Sequence, residues 1–267
     1  MRYPGMDKLV AIVTGASSGI GEAIARELAC HGVAVGVNYH SGAEAARAIV
    51  DDIERSGGRA MALGGDVARP EECRALFDRT VERFGRIDIL VANAGIQRDA
   101  AFTDLTLPDW QRVIDVNLTG PFLCAQEAVR RFRAQPLQAG MRARGNIIFI
   151  NSVHQVIPWA GHINYASAKG GLKLLMETLA QEVAHERIRV NAIAPGAIKT
   201  AINKPVWSDD KQRAALEEMI PYGRIGDAED VGRAAAWLAS DFSDYVVGAT
   251  LFIDGGMTLY PSFREGG

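Results

Sequence analysis

Lys8–Val13 reads KLVAIV, and Thr14-Gly15-Ala16-Ser17-Ser18-Gly19-Ile20-Gly21 follows it directly. Beyond the glycines, Ala23, Ile24, Leu28 and Ala29 recur at helical spacing. A short apolar strand, a glycine-rich turn and a helix form the context that a dinucleotide requires. Glycines let the backbone approach a pyrophosphate, and a helix N-terminus offers it unpaired N–H groups and partial positive charge. The spacing here is G-x-x-x-G-x-G rather than G-x-G-x-x-G. Alone it is weak evidence, because such turns also serve only to seat a helix tightly against a strand. The flanking strand and helix strengthen it. Gly15, Ser17, Ser18, Gly19, Ile20 and Gly21 are the candidate phosphate contacts.

Outward from this unit, strands and helices alternate along the whole chain. The pattern predicts strands at Val33–Asn38, Arg59–Gly65, Ile87–Ala92, Asn146–Ile150, Arg189–Ala194 and Leu251–Ile253. Helices are predicted at Ala43–Arg55, stopped by Gly57-Gly58, and at Pro70–Phe84, which opens on proline and acidic residues. Long helical patterns cover Trp110–Phe132 and Tyr165–His185. This alternation predicts an α/β fold of Rossmann type: a doubly wound parallel sheet with helices on both faces and ligands beyond the carboxyl ends of the strands. Gly15, Asp66, Asn93, Ser152 and Pro195 all fall just after predicted strands.

With 267 residues, no repeat and no Gly/Ser linker, the chain reads as one domain. Residues 8–150 are expected to be mainly dinucleotide-binding, and 151–267 mainly catalytic, substrate-binding and oligomer-forming. A net charge of −3 with both signs interspersed argues against a nucleic-acid partner. No apolar run nears the ~18–20 residues of a membrane span, and the first seven residues, MRYPGMD, carry no apolar signal region, so a cytoplasmic location is expected. Cys30, Cys73 and Cys124 suit reduced, buried packing better than disulfides, and the five histidines lack ligand spacing, so no metal is expected.

Tyr165 and Lys169 stand four residues apart on a predicted helix, thirteen and seventeen residues after Ser152. Positions i and i+4 share a helix face. A phenol titrates near ~10, and bringing it to neutrality takes about 4 kcal/mol. One cation at ~4 Å supplies about that much at an effective dielectric constant near ~20. The spacing therefore predicts Tyr165 as a general base tuned by Lys169.

The glycine turn, Asn93-Ala94-Gly95, Asn117 within Val116-Asn117-Leu118, and Ser152 with Tyr165 and Lys169 together resemble the short-chain dehydrogenase/reductase family, over essentially the entire chain. The resemblance implies hydride transfer between a substrate carbon and a nicotinamide, with the cofactor carrying the hard chemistry. It implies that Ser152 hydrogen-bonds the reacting oxygen and Tyr165 exchanges its proton. Lys169 would lower the tyrosine and hold the nicotinamide ribose, while Asn117 orders a proton-relaying water. Asp66-Val67 would contact adenine, and Pro195-Gly196 through Ile198 and Thr200 the nicotinamide amide. After the second strand stands Asn38-Tyr39-His40-Ser41, with no carboxylate to repel a 2′-phosphate and no arginine to hold one, so use of both NAD and NADP is expected.

Ser152-Val153-His154, Ile157-Pro158-Trp159, Gly196-Ala197-Ile198, Met219-Ile220-Pro221 and the tail from Asp254 through Phe263 resemble the bacterial glucose 1-dehydrogenases of that family. This implies a homotetramer that oxidises C1 of an aldose, D-glucose first among them, with Gln97, Ser152, His154 and Tyr165 at the sugar. Gln97 and Lys199 depart from those relatives' pattern, which leaves open another aldose or an anionic sugar paired with Lys199. A reductase of 3-oxoacyl thioesters or small ketones is the alternative. Ala134–Gly145 reads as a long connection whose arginines are solvated, and Met257–Phe263 as an apolar tail that packs on a neighbouring subunit.

Overall fold

The computed structural model describes residues 2–201 and 204–259, with the backbone alone at 205–206. Seven parallel strands form one sheet: β1 (Val10–Val13), β2 (Ala34–Tyr39), β3 (Arg59–Gly64), β4 (Ile89–Ala92), β5 (Gly145–Ile150), β6 (Ile188–Pro195) and β7 (Thr250–Ile253). Their order is β3-β2-β1-β4-β5-β6-β7, so the direction of winding reverses between β1 and β4. That reversal opens a crevice at the carboxyl ends of the strands, where such sheets bind ligands.

Successive residues of each strand enter opposite layers of core. Ala11, Val13, Ile89, Val91, Ile148 and Ile150 join one layer with Ile24 and Leu28 of α1 (Gly19–Cys30) and Ile49 of α2 (Ala43–Arg55). Ile12, Leu90, Ile147 and Phe149 join the other, against Leu76 and Phe77 of α3 (Pro70–Phe84). Both faces are covered, which is why the strands read as unbroken apolar runs.

The limits of α2 and α3 are those that the sequence predicts. β1 begins two residues late, because Met6–Lys8 form a single tight turn that buries Met6 and closes through Leu9 N–H on the Met6 carbonyl at 3.0 Å. The predicted helix Trp110–Phe132 is a longer span with a widened centre. It comprises α4 (Leu107–Ile114), a π turn (Asp115–Thr119) and α5 (Gly120–Ala134). Pro121 has no N–H to offer the Asn117 carbonyl four residues back, so the ladder loosens, and Gly120 donates instead to Asp115 five residues back. Then comes α6 (Ile163–Val183), which carries Tyr165 and Lys169. Three helices follow that the hydrophobic pattern does not disclose: α7 (Lys204–Ser208), α8 (Asp210–Glu218) and α9 (Ala228–Ala239). The last packs on α1, its start fastened where Asp227 N–H donates to the Asp230 carboxylate at 3.0 Å.

Cys30 is exposed, contrary to the packing role expected from the sequence. Cys73 and Cys124 are buried at the α3–α5 contact with their sulfurs 3.5 Å apart. The Cys73 thiol and burial together push the Cys124 thiol well above its ordinary value. The connection Ala134–Gly145 is anchored rather than merely solvated, since Met141 is buried in the core and Arg144 donates to the Gln135 carbonyl at 3.0 Å. Among the described residues no helix is long and apolar enough to cross a membrane.

Candidate active site

The glycine turn is bolted to the sheet by side chains on either side of it. Thr14 Oγ1 accepts the N–H groups of Asn93 and Ala94 at 2.9 and 3.0 Å. Asn93 Nδ2 donates back to the carbonyls of Thr14 and Gly15 at 2.9 and 3.0 Å. Gly19 lies at φ +58°, a left-handed conformation that glycine adopts without strain. A side chain on Gly21 would fall 2.5 Å from Asn93 Nδ2. Ser18 precedes α1 without capping it through its side chain, which leaves first-turn N–H groups to face an anion. This cradle fits the pyrophosphate of a dinucleotide. Thr200, beyond β6, approaches Gly19 closely and brings the predicted Pro195–Thr200 segment to the same crevice. Pro195 itself is the last residue of β6 rather than the first after it.

Asn38 has a different task from the one its position suggests. It is 1% exposed. Its Oδ1 accepts the Gly15 N–H at 3.1 Å, and its Nδ2 donates to the carbonyls of Leu63 and Gly65 at 2.9 and 3.1 Å. Its amide holds the turn against β3 and does not face a ribose. Half-buried Tyr39 and exposed His40 and Ser41 remain at the rim, with the Ser41 carbonyl accepting from Ser17 Oγ at 3.5 Å. Asp66, buried beside Val67, accepts the Ala68 N–H at 3.0 Å and Arg112 Nη1 at 3.0 Å, and His40 Nε2 stands 3.8 Å away. Burial would raise its carboxyl, but these donors outweigh that and hold it below its ordinary value. Arg112 carries no sequence signal, because its partner lies 46 residues away.

Ser152 leaves β5 and begins a short turn, where its hydroxyl accepts the His154 N–H at 3.2 Å. The same hydroxyl faces the Tyr165 phenol and pulls it down. Lys169 is buried one turn along α6, its ammonium 5.6 Å from the Tyr165 ring centre and donating to the Ile150 carbonyl at 2.8 Å. The three residues expected to act together do meet. Their electrostatics differ from the expectation. Burial holds the Tyr165 phenol above its ordinary value, and the contact that lowers it is Ser152. Lys169 is itself brought down to about 8 by burial, because a charged ammonium is costly away from water. A phenol that keeps its proton through neutral pH is set to donate it to a forming alkoxide, and to accept one as the solution becomes alkaline.

Asn117 is fully buried in the π turn, with Oδ1 accepting the Ile96 N–H and Nδ2 donating to the Ile96 carbonyl, both at 2.9 Å. Its side chain therefore clasps the loop that carries Asn93-Ala94-Gly95 and half-buried Gln97.

Around the mouth, His154 Nδ1 lies 3.1 Å from the Ile157 carbonyl, and the ring stacks on Trp159 at 4.2 Å. Burial pushes His154 below its ordinary value, opposed by the Ile157 carbonyl and aided by His162. The ring is neutral at pH 7. Lys199 pairs with Asp227 at 3.3 Å, while its N–H donates to the Gly226 carbonyl at 2.8 Å. Met257 Sδ accepts the Ala197 N–H of its own chain at 3.3 Å, and Asp254 fastens the N–H groups of Gly256 and Thr258 at 2.8 and 2.9 Å. Leu259 is 65% exposed. The rest of the expected apolar tail, Tyr260–Phe263, lies outside the described residues.

A family model described as enoyl-(acyl carrier protein) reductase matches residues 15–258. A 3β-hydroxysteroid dehydrogenase of Eggerthella lenta is 47% identical over 264 residues, 99% of each chain. Glucose 1-dehydrogenase 2 of Bacillus subtilis is 43% identical over 264 residues, 98% of this chain and all of the relative. Among solved structures, a gluconate 5-dehydrogenase from Burkholderia cenocepacia, in complex with NADP and tartrate, superposes with a TM-score of 0.87 at 36% identity over 97% of each chain. With these relatives, the bolted glycine turn and the Ser152–Tyr165–Lys169 group, the chain belongs to the short-chain dehydrogenase/reductase family, an oxidoreductase that works with a nicotinamide cofactor.

Proposed function

We propose that this enzyme oxidises a hydroxyl group on a ring-shaped substrate, C1 of an aldose and D-glucose foremost, with NAD or NADP accepting the hydride. The observation that carries the reading is His154. Its Nδ1 faces a carbonyl, which can only accept, so the proton of the neutral ring sits there and Nε2 presents a lone pair. His154 lies two residues from Ser152 with its ring centre 6.4 Å from that of Tyr165, and the reading assigns its lone pair to a substrate hydroxyl next to the reacting one. The likeness to a glucose 1-dehydrogenase supports it. In catalysis Ser152 would hold the reacting oxygen and Tyr165 take its proton, while a bound nicotinamide supplies the hydride acceptor.

A 3β-hydroxysteroid is the second reading. The more identical of the two relatives compared above favours it, as do the exposed apolar side chains of Val156 and Trp159 in the His154 loop. Dual cofactor use accords with the neutral rim at Tyr39, His40 and Ser41, and a cytoplasmic homotetramer accords with the sugar-dehydrogenase likeness. Initial rates with D-glucose, other aldoses, a 3β-hydroxysteroid and a 3-oxoacyl thioester, each with both cofactors, test the reading. His154→Ala should raise KM for the true substrate about tenfold or more, because an unpaired buried hydroxyl costs ~1–3 kcal/mol. Fastest turnover of the thioester would replace the proposal with the reductase reading.

A further inference from the structure

His154 does not stand alone at the mouth. Trp159 stacks on it and also on His162, where the ring centres are 3.5 Å apart and the planes 6° from parallel. Each nitrogen of His162 faces an acceptor. Nδ1 lies 3.0 Å from the Ala160 carbonyl, and Nε2 lies 3.2 Å from the carboxylate of Asp99. Asp99 belongs to the loop after β4, the same loop that carries Gln97. Two further bonds join these loops, from Ala100 N–H to the Gly161 carbonyl at 3.0 Å and from Asn164 Nδ2 to the Arg98 carbonyl at 2.8 Å.

A histidine that accepts from a substrate hydroxyl must hold its ring within a narrow range of angles. The Ile157 carbonyl pins one atom of His154 and leaves the plane to be fixed by whatever covers the ring. Trp159 covers it, and the half-exposed indole depends in turn on its other partner. Both ring edges also meet Tyr165, at 6.4 Å and near perpendicular. The stack therefore leans on the proton-transferring residue as well. Resting on the reading of His154 as a substrate partner, we propose that Asp99 and His162 are positioning residues for substrate specificity. They clamp Trp159 against His154 and so aim its Nε2 at the hydroxyl beside the reacting one.

The test is steady-state kinetics of the full-length enzyme with D-glucose, or with the 3β-hydroxysteroid if that is the substrate turned over. Four variants are needed: His154→Ala, His162→Ala, Asp99→Asn and the double variant His154→Ala/His162→Ala. His162→Ala should raise KM about five- to tenfold with kcat changed much less, since uniform binding is lost and not transition-state chemistry. Asp99→Asn, at a half-exposed carboxylate where misfolding is not a concern, should move KM in the same direction by a smaller factor. In the double variant, loss of His162 should add nothing to loss of His154, which is the signature of one residue acting through the other. If His154→Ala raises KM while His162→Ala and Asp99→Asn do not, the clamp is refuted and the substrate reading stands. Full additivity in the double variant also refutes it. If His154→Ala itself leaves KM unchanged for both substrates, the substrate reading fails and the clamp fails with it.

Discussion

The two walls of the active-site crevice are built on different principles. On the cofactor wall, polar side chains are spent on backbone: Thr14, Asn38, Asn93 and Asn117 each hold main-chain groups of a neighbouring strand or loop. On the wall assigned above to the substrate, side chains also hold one another, as in His154 on Trp159 on His162 on Asp99, alongside bonds to the Ile157 and Ala160 carbonyls. Backbone groups are the same in every protein, so the first wall is generic and rigid. Side-chain pairs differ from protein to protein, so the second wall is where one member of a family can depart from another.

The harshest way to break the comparison is at the junction of the walls. Tyr165→Phe removes the ionisable oxygen and keeps the ring, so turnover should fall by the ~10²–10⁴ of acid–base catalysis, with cofactor binding retained by fluorescence titration. In the intact enzyme, alcohol oxidation should climb as pH rises past neutrality, and carbonyl reduction should decline, because burial keeps the phenol protonated. A flat profile in both directions would remove Tyr165 from the proton transfer.

Lys169 provides the next test. Its pKa is about 8 when folded, against an ordinary value of 10.5. The unfolded chain binds more protons between these values, so stability must increase with pH across that window. For a fully buried group the gain approaches about 3 kcal/mol by pH 10.5. Below pH 8 the penalty of burying the charge is present in full. Urea denaturation of the wild type and of Lys169→Met at pH 8 and pH 10 should show this gain only in the wild type.

A further pair of variants separates the interior of the cofactor wall from its rim. Asn38→Ala strands the Gly15 N–H and two carbonyls, each at a cost of about 1–3 kcal/mol. It should lower the melting temperature and weaken NAD and NADP alike. His40→Asp, on the exposed rim, should cost less stability than Asn38→Ala, although it brings a second carboxylate near Asp66, and should weaken NADP selectively, by repulsion of the 2′-phosphate. A selective loss of NADP in Asn38→Ala would show that the amide faces the ribose after all.

These contrasts also explain what the sequence disclosed. Strand after strand was legible because both faces are buried and the apolar runs are unbroken, and Ser152, Tyr165 and Lys169 were legible because one loop and one helix turn join them. The position of Asn38 is legible, but its hold on the turn is not, because its partners Gly15, Leu63 and Gly65 converge only in three dimensions. The same is true of Arg112 on Asp66 and His162 on Asp99. No spacing rule links residues 46 and 63 positions apart. α9 escaped notice for another reason: its run of alanines carries little periodic contrast, although Asp227 and Asp230 at its start were a signal.

The π turn at Asn117 acts as a phase shifter. Upstream, α4 aims Arg112 at Asp66, and downstream α5 aims Cys124, Ala128 and Phe132 into the core. A regular helix advances about 100° per residue, and the widened turn absorbs one residue without that advance. Close the turn into plain α-helix with every residue kept, and everything upstream rotates by about 100° relative to the core-facing side. Arg112 would swing off Asp66, and the clasp on Ile96 would open. The irregularity therefore works as a gear tooth: it meshes the helix face that carries Arg112 to Asp66 with the face that enters the core, and the match lasts only while the turn stays wide.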